Sequence, residues 1–298
     1  MVKLNAKGPE VVKVQQMLKM LGLKVATDGD FGTGTLAAVL QFQKQAGVPA
    51  NGVVEGATEE ALLKATEVQR AKLLRDEELH AGAQKVGVAP EALKAVRDVE
   101  SLGYGFLGSG KAVILFEGHV FWNKLKKAGA NPEQFQSGNE DILYPKFIAG
   151  NPVYKKDQHA RLEKAASLDI PGVDAASLAH QSASWGLFQI MGFHHDRLGF
   201  PSVHDFCNAM NRSESDQFDI FLRFLQAENM LDALRQLKWA DFARRYNGEK
   251  YAENRYDVRL ATFYQKHLGL ESASDTTGLP DEEVAGRPFG VDAMFFEL

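Results

Sequence analysis

The sequence predicts a mainly α protein in two unequal parts. Three observations carry that prediction. Apolar residues recur at helical spacing in one segment after another. Within the first 66 residues those segments are short and broken by Gly, Asn and Asp turn signals. A charged, helix-favouring stretch over 67–85 then separates this small part from a long helix-rich part that runs to about residue 270. The chain has 298 residues, 45% hydrophobic and 24% charged, which suits one small and one medium domain, each with its own core.

Composition also excludes several classes. No apolar run approaches the ~18 residues of a membrane span, so no stable membrane insertion is expected. Met1-Val2-Lys3-Leu4-Asn5 is followed by charged residues rather than an apolar core, so no secretory signal is expected and the protein should accumulate in a cytosol. The single cysteine, Cys207, rules out an intrachain disulfide or a Cys-based zinc site and reads as buried packing. Of the net charge of -5, residues 271–298 hold seven acids against Arg287, leaving the rest near +1. That is not the footprint of a nucleic-acid binder. The acidic tail is expected to be poorly ordered, although Met294-Phe295-Phe296 is apolar enough to dock.

In the first part, Val11, Val14, Leu18 and Leu21 put one stripe on a helix that ends near Gly22. Asp28-Gly29-Asp30-Phe31-Gly32 is a turn, and Thr35 is placed to cap a second helix with Val39 and Phe42 inward and Gly47 at its end. Asn51-Gly52 forms a second turn, and Thr58 is placed to cap a third helix whose Glu59 and Glu60 suit its positive end. Asp28-Gly29 and Asn51-Gly52 lie 23 residues apart, each with a threonine six residues after its glycine, a weak internal repeat. These residues, with Val14-Gln15-Gln16-Met17-Leu18, Phe42-Gln43 and Gly47-Val48, resemble the three-helix peptidoglycan-binding module of wall hydrolases. Glu55 departs from that pattern, where glycine is usual. The resemblance implies a peptidoglycan-binding domain over 1–66, with Asp28, Gly29, Phe31 and Phe42 as its signature residues, followed by a linker helix over 67–80.

The second part, 81–270, holds four segments able to do chemistry. Pro90-Glu91 opens a helix with Ala92, Val96 and Val99 on one face, and Glu100 falls in its last turn, before Ser101. A carboxylate at a helix C-terminus meets negative partial charge; in an apolar cleft both effects would raise its pKa, as a general acid requires. A solvated glutamate at a frayed helix end is the alternative. Glu117 sits in an apolar run with His119 two residues on, as a buried ion pair or as a functional acid. In Ser184-Trp185-Gly186-Leu187-Phe188-Gln189 the indole offers a face to a sugar or packs as core. Tyr246-Asn247-Gly248 reads as a helix end, and Tyr256, Leu260, Phe263 and His267 bury one face of a last helix. His194-His195-Asp196 lacks helical zinc spacing, and no G-x-S-x-G elbow occurs.

In this order the four segments resemble the N-acetylmuramidase domain of phage endolysins acting on Gram-negative walls, and more broadly goose-type lysozymes and lytic transglycosylases. The resemblance implies a lysozyme-like, helix-rich catalytic domain that cuts the β-1,4 bond between N-acetylmuramic acid and N-acetylglucosamine. It carries the catalytic acid onto Glu100 and the second implicated acid onto Glu117. Ser101, His119, Trp185, Gly186, Gln189, Tyr246 and Asn247 then shape the sugar subsites. The implied partner is bacterial peptidoglycan, reached in the periplasm after membrane permeabilisation, with the protein a monomer and no metal or other cofactor needed. A lytic transglycosylase, a non-enzymatic wall-binding protein and a peptidase or amidase are the competing expectations.

Overall fold

Helices dominate the computed structural model, which describes residues 1–100, 104–148, 150–252 and 255–270, except the side chains of Gln69, Glu100, Glu249 and Lys250. Ser101 and the tail 271–298 lie outside the described residues. Contacts divide the chain into two units: Met1–Leu73 with Phe106–Ala112, and Leu74–Gly105 with the chain from Val113 on. Among the described residues no helix is long and apolar enough to cross a membrane.

The first unit is built from α1 (Pro9–Met20), α2 (Thr33–Ala46), α3 (Ala57–Ala65) and the short α4 (Glu67–Ala71). Pro9 suits the first turn of α1, where its missing N–H has no helical partner to lose. Val11, Val14 and Leu18 from α1 meet Phe31, Val39, Phe42 and Leu62 in one buried cluster. Burying each phenylalanine there contributes roughly 1.5–3 kcal/mol.

The weak sequence repeat proves to be a pair of buried glutamine knots. Gln15 Nε2 donates to Asp28 Oδ1 (2.8 Å), Asp30 O (3.0 Å) and Thr35 Oγ1 (3.0 Å), and its Oε1 accepts the Gly29 N–H at 2.9 Å. Gln43 repeats the set with Asn51 Oδ1 (3.0 Å), Val53 O (2.9 Å), Thr58 Oγ1 (3.0 Å) and the Gly52 N–H (2.9 Å). The two threonines therefore do not cap their helices. Glycines hold both N-cap positions, Gly32 and Gly56, while Thr35 and Thr58 turn inward as partners of the buried amides.

The hairpin Phe106–Ala112 completes this unit. Phe106 bridges Ala112, Lys72 Nζ donates to Gly110 O at 3.1 Å and lies 4.3 Å from the centroid of the Phe106 ring, and Gly108 packs on the Met20 carbonyl.

The expected linker helix over 67–80 is two helices rather than one. α4 ends at Ala71 and α5 (Asp76–Val86) starts afresh. At the break the Leu74 N–H is taken by the distant Glu214 at 2.8 Å and the Arg75 N–H by Glu78 at 2.9 Å, so neither joins a helical ladder.

The second unit continues with α6 (Pro90–Glu100), β1 (Ile114–Phe116), α7 (Gly118–Lys127), α8 (Gln158–Ala166), α9 (Ala175–Gln181), β2 (Ala183–Trp185), β3 (Ile190–Met191), α10 (Val203–Met210), α11 (Glu214–Ala227), α12 (Leu231–Arg235), α13 (Trp239–Asn247) and α14 (Tyr256–His267). α6 buries the expected Ala92, Val96 and Val99 and packs chiefly on α14. The two are tied by His267 Nε2 and Asp98 Oδ2 at 2.8 Å. On α14, Tyr256 and Leu260 are buried, whereas Phe263 is only half-buried. The strands form a small antiparallel sheet in the order β1-β2-β3, with Ile114 opposite Trp185 and Trp185 opposite Ile190. Behind it, Phe188 stacks on Phe221 at 4.1 Å between centroids, and Tyr246 lies between Phe242 and Tyr256. Cys207 is buried as expected, and burial pushes its thiol well above the usual range.

Candidate active site

Glu100 is the last residue of α6, at the carbonyl end of the helix. Its side chain and Ser101 to Gly103 lie outside the described residues. The chain is fixed again at Gly105, whose N–H donates to Glu214 Oε1 at 2.7 Å and whose carbonyl accepts the Val113 N–H at 2.9 Å. Burial pushes the Tyr104 hydroxyl well above its ordinary range, with the Glu214 charge adding to the effect. Glu214 is itself buried, and loss of solvent raises its pKa against the lowering effect of its two backbone donors.

Glu117 stands where β1 turns into α7, as the N-cap residue of that helix, and is fully buried. Its Oε2 accepts the Tyr154 hydroxyl at 2.7 Å and lies 3.3 Å from His119 Nδ1; its Oε1 has no hydrogen-bond partner among the described residues. Behind Tyr154 the donors all run one way. The Tyr144 hydroxyl donates to Tyr154 at 3.4 Å and accepts from the Gly118 N–H (3.1 Å) and Arg161 Nη2 (3.4 Å). Arg161 is buried too, and donates to the carbonyls of Phe116 (2.8 Å) and Asp141 (2.6 Å). A buried carboxylate and a buried guanidinium are thus bridged by two tyrosines, which offsets the penalty each would meet alone. His119, a candidate partner by sequence, does lie beside Glu117, but the hydrogen bond to the carboxylate comes from Tyr154. Tyr144, Tyr154 and Arg161 escaped notice there because they lie 27 to 44 residues away, in a stretch without marked periodicity.

The Ser-Trp-Gly turn joins β2 to β3. Gly186 there has φ +73, a conformation that L side chains rarely adopt. Trp185 is 2% exposed, its ring stacked on His180 and its indole N–H given to His180 O at 3.2 Å. Gln189 is buried, its Nε2 bonded to Gly186 O (2.7 Å) and its Oε1 to the Ser184 hydroxyl (2.7 Å). The Tyr246 hydroxyl donates to Phe188 O at 2.9 Å. These three side chains therefore build the turn from behind instead of offering open faces, since every polar atom they have points at the turn's own backbone or at its neighbours. Asn247 differs: it is buried, and neither its Nδ2 nor its Oδ1 has a hydrogen-bond partner among the described residues.

Comparison with known proteins bears on this site. A family model described as N-acetylmuramidase matches residues 89–268, from the start of α6 to the end of α14. The chain belongs to the N-acetylmuramidase family. A second model, for a peptidoglycan binding domain, matches residues 7–62 of this family member. The solved structure of a Burkholderia AP3 phage endolysin is 35% identical, with a TM-score of 0.61 over 90% of this chain and 99% of that one. Two Bacillus cereus proteins named spore cortex-lytic enzyme are 34% identical over 71 residues, 24% of this chain. The chain spans about a quarter of the length of these curated relatives, 27%.

In the peptidoglycan-binding part of this muramidase-family chain, the signature residues hold the fold. Phe31 and Phe42 are core, Gly29 takes the turn, and Asp28 accepts from Gln15 and from the Asp30 N–H. Open surface on the same unit is offered by a groove of about 480 Å³ beside α1 and α3, with Lys13, Gln16, Met17, Glu59, Leu63 and Arg70 among its lining residues.

Proposed function

We propose that the chain binds peptidoglycan through its first unit and hydrolyses the β-1,4 bond between N-acetylmuramic acid and N-acetylglucosamine with its second, as a phage endolysin does in host lysis. The observation that carries this reading is the match of the whole α6-to-α14 region to N-acetylmuramidases, with Glu100 at the carbonyl end of α6. Its site of action is the wall, and from a host cytoplasm it reaches that wall only once the inner membrane is breached. It acts as a monomer.

Glu100 protonates the leaving glycosidic oxygen while positive charge develops at the anomeric carbon. The helix end favours this, since nearby carbonyls penalise the ionised carboxylate and keep the proton available at neutral pH. Glu117 serves from the buried side: its carboxylate organises Tyr154 and His119, and Oε1 retains an acceptor site. Asn247 has both amide atoms available to a sugar N-acetyl or hydroxyl group. Trp185, Gln189, Tyr246 and Gly186 hold the turn that the glycan passes. The first unit raises the local concentration of enzyme on a polymeric substrate without adding catalytic groups.

The test is the mass and reducing-end content of muropeptides released from purified walls. Hydrolysis adds one water and creates a reducing sugar with every cut. An anhydro product would instead assign the chain to lytic transglycosylases, and new amines without reducing ends would assign it to amidases.

A further inference from the structure

One side chain touches the backbone both at Gly105 and at the Ser-Trp-Gly turn, and it belongs to neither segment. Gln217 on α11 is 1% exposed. Its Oε1 accepts the Leu187 N–H at 2.7 Å, and its Nε2 donates to Gly105 O at 3.3 Å and Met210 O at 2.7 Å. The Gly186 N–H donates to Val113 O at 2.8 Å, and the Val113 N–H donates to Gly105 O. Gly105, Val113, Gly186-Leu187 and the Gln217 amide thus close a ring of hydrogen bonds. Glu214, three residues earlier on α11, adds a second hold on Gly105 and, through its other oxygen, a hold on the Leu74 N–H.

The fit leaves no slack. A Cβ on Gly105 would fall 2.1 Å from Gln217 Oε1, and one on Gly186 would fall 2.6 Å from Gln217 Cδ. A glycine has no side chain of its own to anchor it and loses the most conformational freedom on ordering. Hydrogen bonds to the peptide groups at Gly105 and at Gly186-Leu187 offset that loss, and α11 supplies such bonds to both places, from one face.

We propose that Gln217, supported by Glu214, is a positioning residue that sets the spacing between Gly105, five residues after Glu100, and Leu187 of the Ser-Trp-Gly turn, and so the geometry around the acid. This rests on the assignment of the acid to Glu100. Misplacing reacting groups by about 1 Å lowers rates about 100-fold, so a buried amide distant from the substrate can control turnover.

Two variants test it, assayed on purified walls well below their melting temperatures. Gln217→Met keeps the volume and removes every hydrogen bond. Gln217→Glu keeps the acceptor for Leu187 but, when ionised, turns a negative oxygen toward two carbonyls; protonation restores a donor there. Gln217→Met is expected to lower kcat at least about tenfold with KM within about twofold and wall pull-down unchanged. Gln217→Glu is expected to show a deficit, relative to wild type at each pH, that shrinks as pH falls from about 8 to about 5. Folded variants with wild-type kcat throughout, or losses that only track the unfolded fraction, would overturn the proposal. Should neither variant fold, amide exchange on the wild type decides: Gly105 and Leu187 protected as well as α11 supports it, and exchange at loop rates overturns it. A wild type that releases no reducing ends would sink the muramidase assignment itself, a separate outcome from either of these.

Discussion

Tyr246 and Asn247 are neighbours in sequence yet carry opposite expectations. The Tyr246 hydroxyl satisfies the Phe188 carbonyl inside the core, so Tyr246→Phe leaves that carbonyl unpaired and is expected to lower stability by about 1–3 kcal/mol. The Asn247 amide has no hydrogen-bond partner to lose among the described residues. Asn247→Ala should therefore shift stability by less than about 1 kcal/mol while lowering kcat/KM at least about tenfold, if its amide meets the substrate as proposed. Calorimetry with initial rates checks both; an Asn247→Ala enzyme that is fully active but unstable would make Asn247 a core residue. His194 gives a second residue-level expectation. Its Nε2 is shut away without a partner beside the Phe224 ring, and burial holds its pKa down from 6.5 to about 4. The folded state thus prefers the neutral ring. His194 should contribute its full stability above about pH 6.5 and lose roughly 3 kcal/mol of it as pH drops toward 4, a contribution to the slope that His194→Phe removes. Urea melts at several pH values measure it, and an unchanged slope in the variant would count against it. Glu117 stood out in the sequence because a carboxylate in an apolar run demands a reason, and Glu100 because a carboxylate at a helix C-terminus does. Glu214 and Gln217 were not, because the groups they serve lie up to 140 residues away.

At the scale of elements, helix ends were the most readable feature: Pro90 opening α6, Gly47 closing α2 in a left-handed conformation, and Asn247-Gly248 ending α13 all stood in the local sequence. The glutamine knots were half readable. The Asp-Gly and Asn-Gly turns and their threonines repeat at 23 residues, but Gln15 and Gln43 lie 28 apart, so no single period includes them. The difference arises because α1 reaches its turn across 13 residues and α2 across only 8. Each knot closes a turn onto the preceding helix, and Gln43→Leu would strand the Gly52 N–H, the Val53 carbonyl and the Thr58 hydroxyl together. Such a variant is expected to lose about 2–4 kcal/mol in the first unit and most wall binding, with cleavage of soluble glycan fragments unchanged. Wall pull-down beside a soluble-fragment assay reads this; normal wall retention would contradict it. The α4–α5 break could not be read locally, since Glu214 imposes it from far along the chain.

On the scale of the whole molecule, the boundary between units does not follow the boundary between families. The muramidase match begins at residue 89, yet Phe106–Ala112 belongs with the first unit, where Lys72 covers Phe106 and Gly108 meets Met20. The two-part plan was legible because composition and turn density change near residue 67, whereas the returning hairpin was not, being a short segment with no pattern of its own. The proposed chemistry nonetheless rests on one proton on one carboxyl group. The most direct measurement is release of reducing ends from purified walls by wild type and Glu100→Gln, both shown to be folded and retained on the wall. Loss of a general acid should lower turnover about 100- to 10,000-fold with wall retention intact. A folded, wall-bound Glu100→Gln protein that still cuts at the wild-type rate would contradict the account.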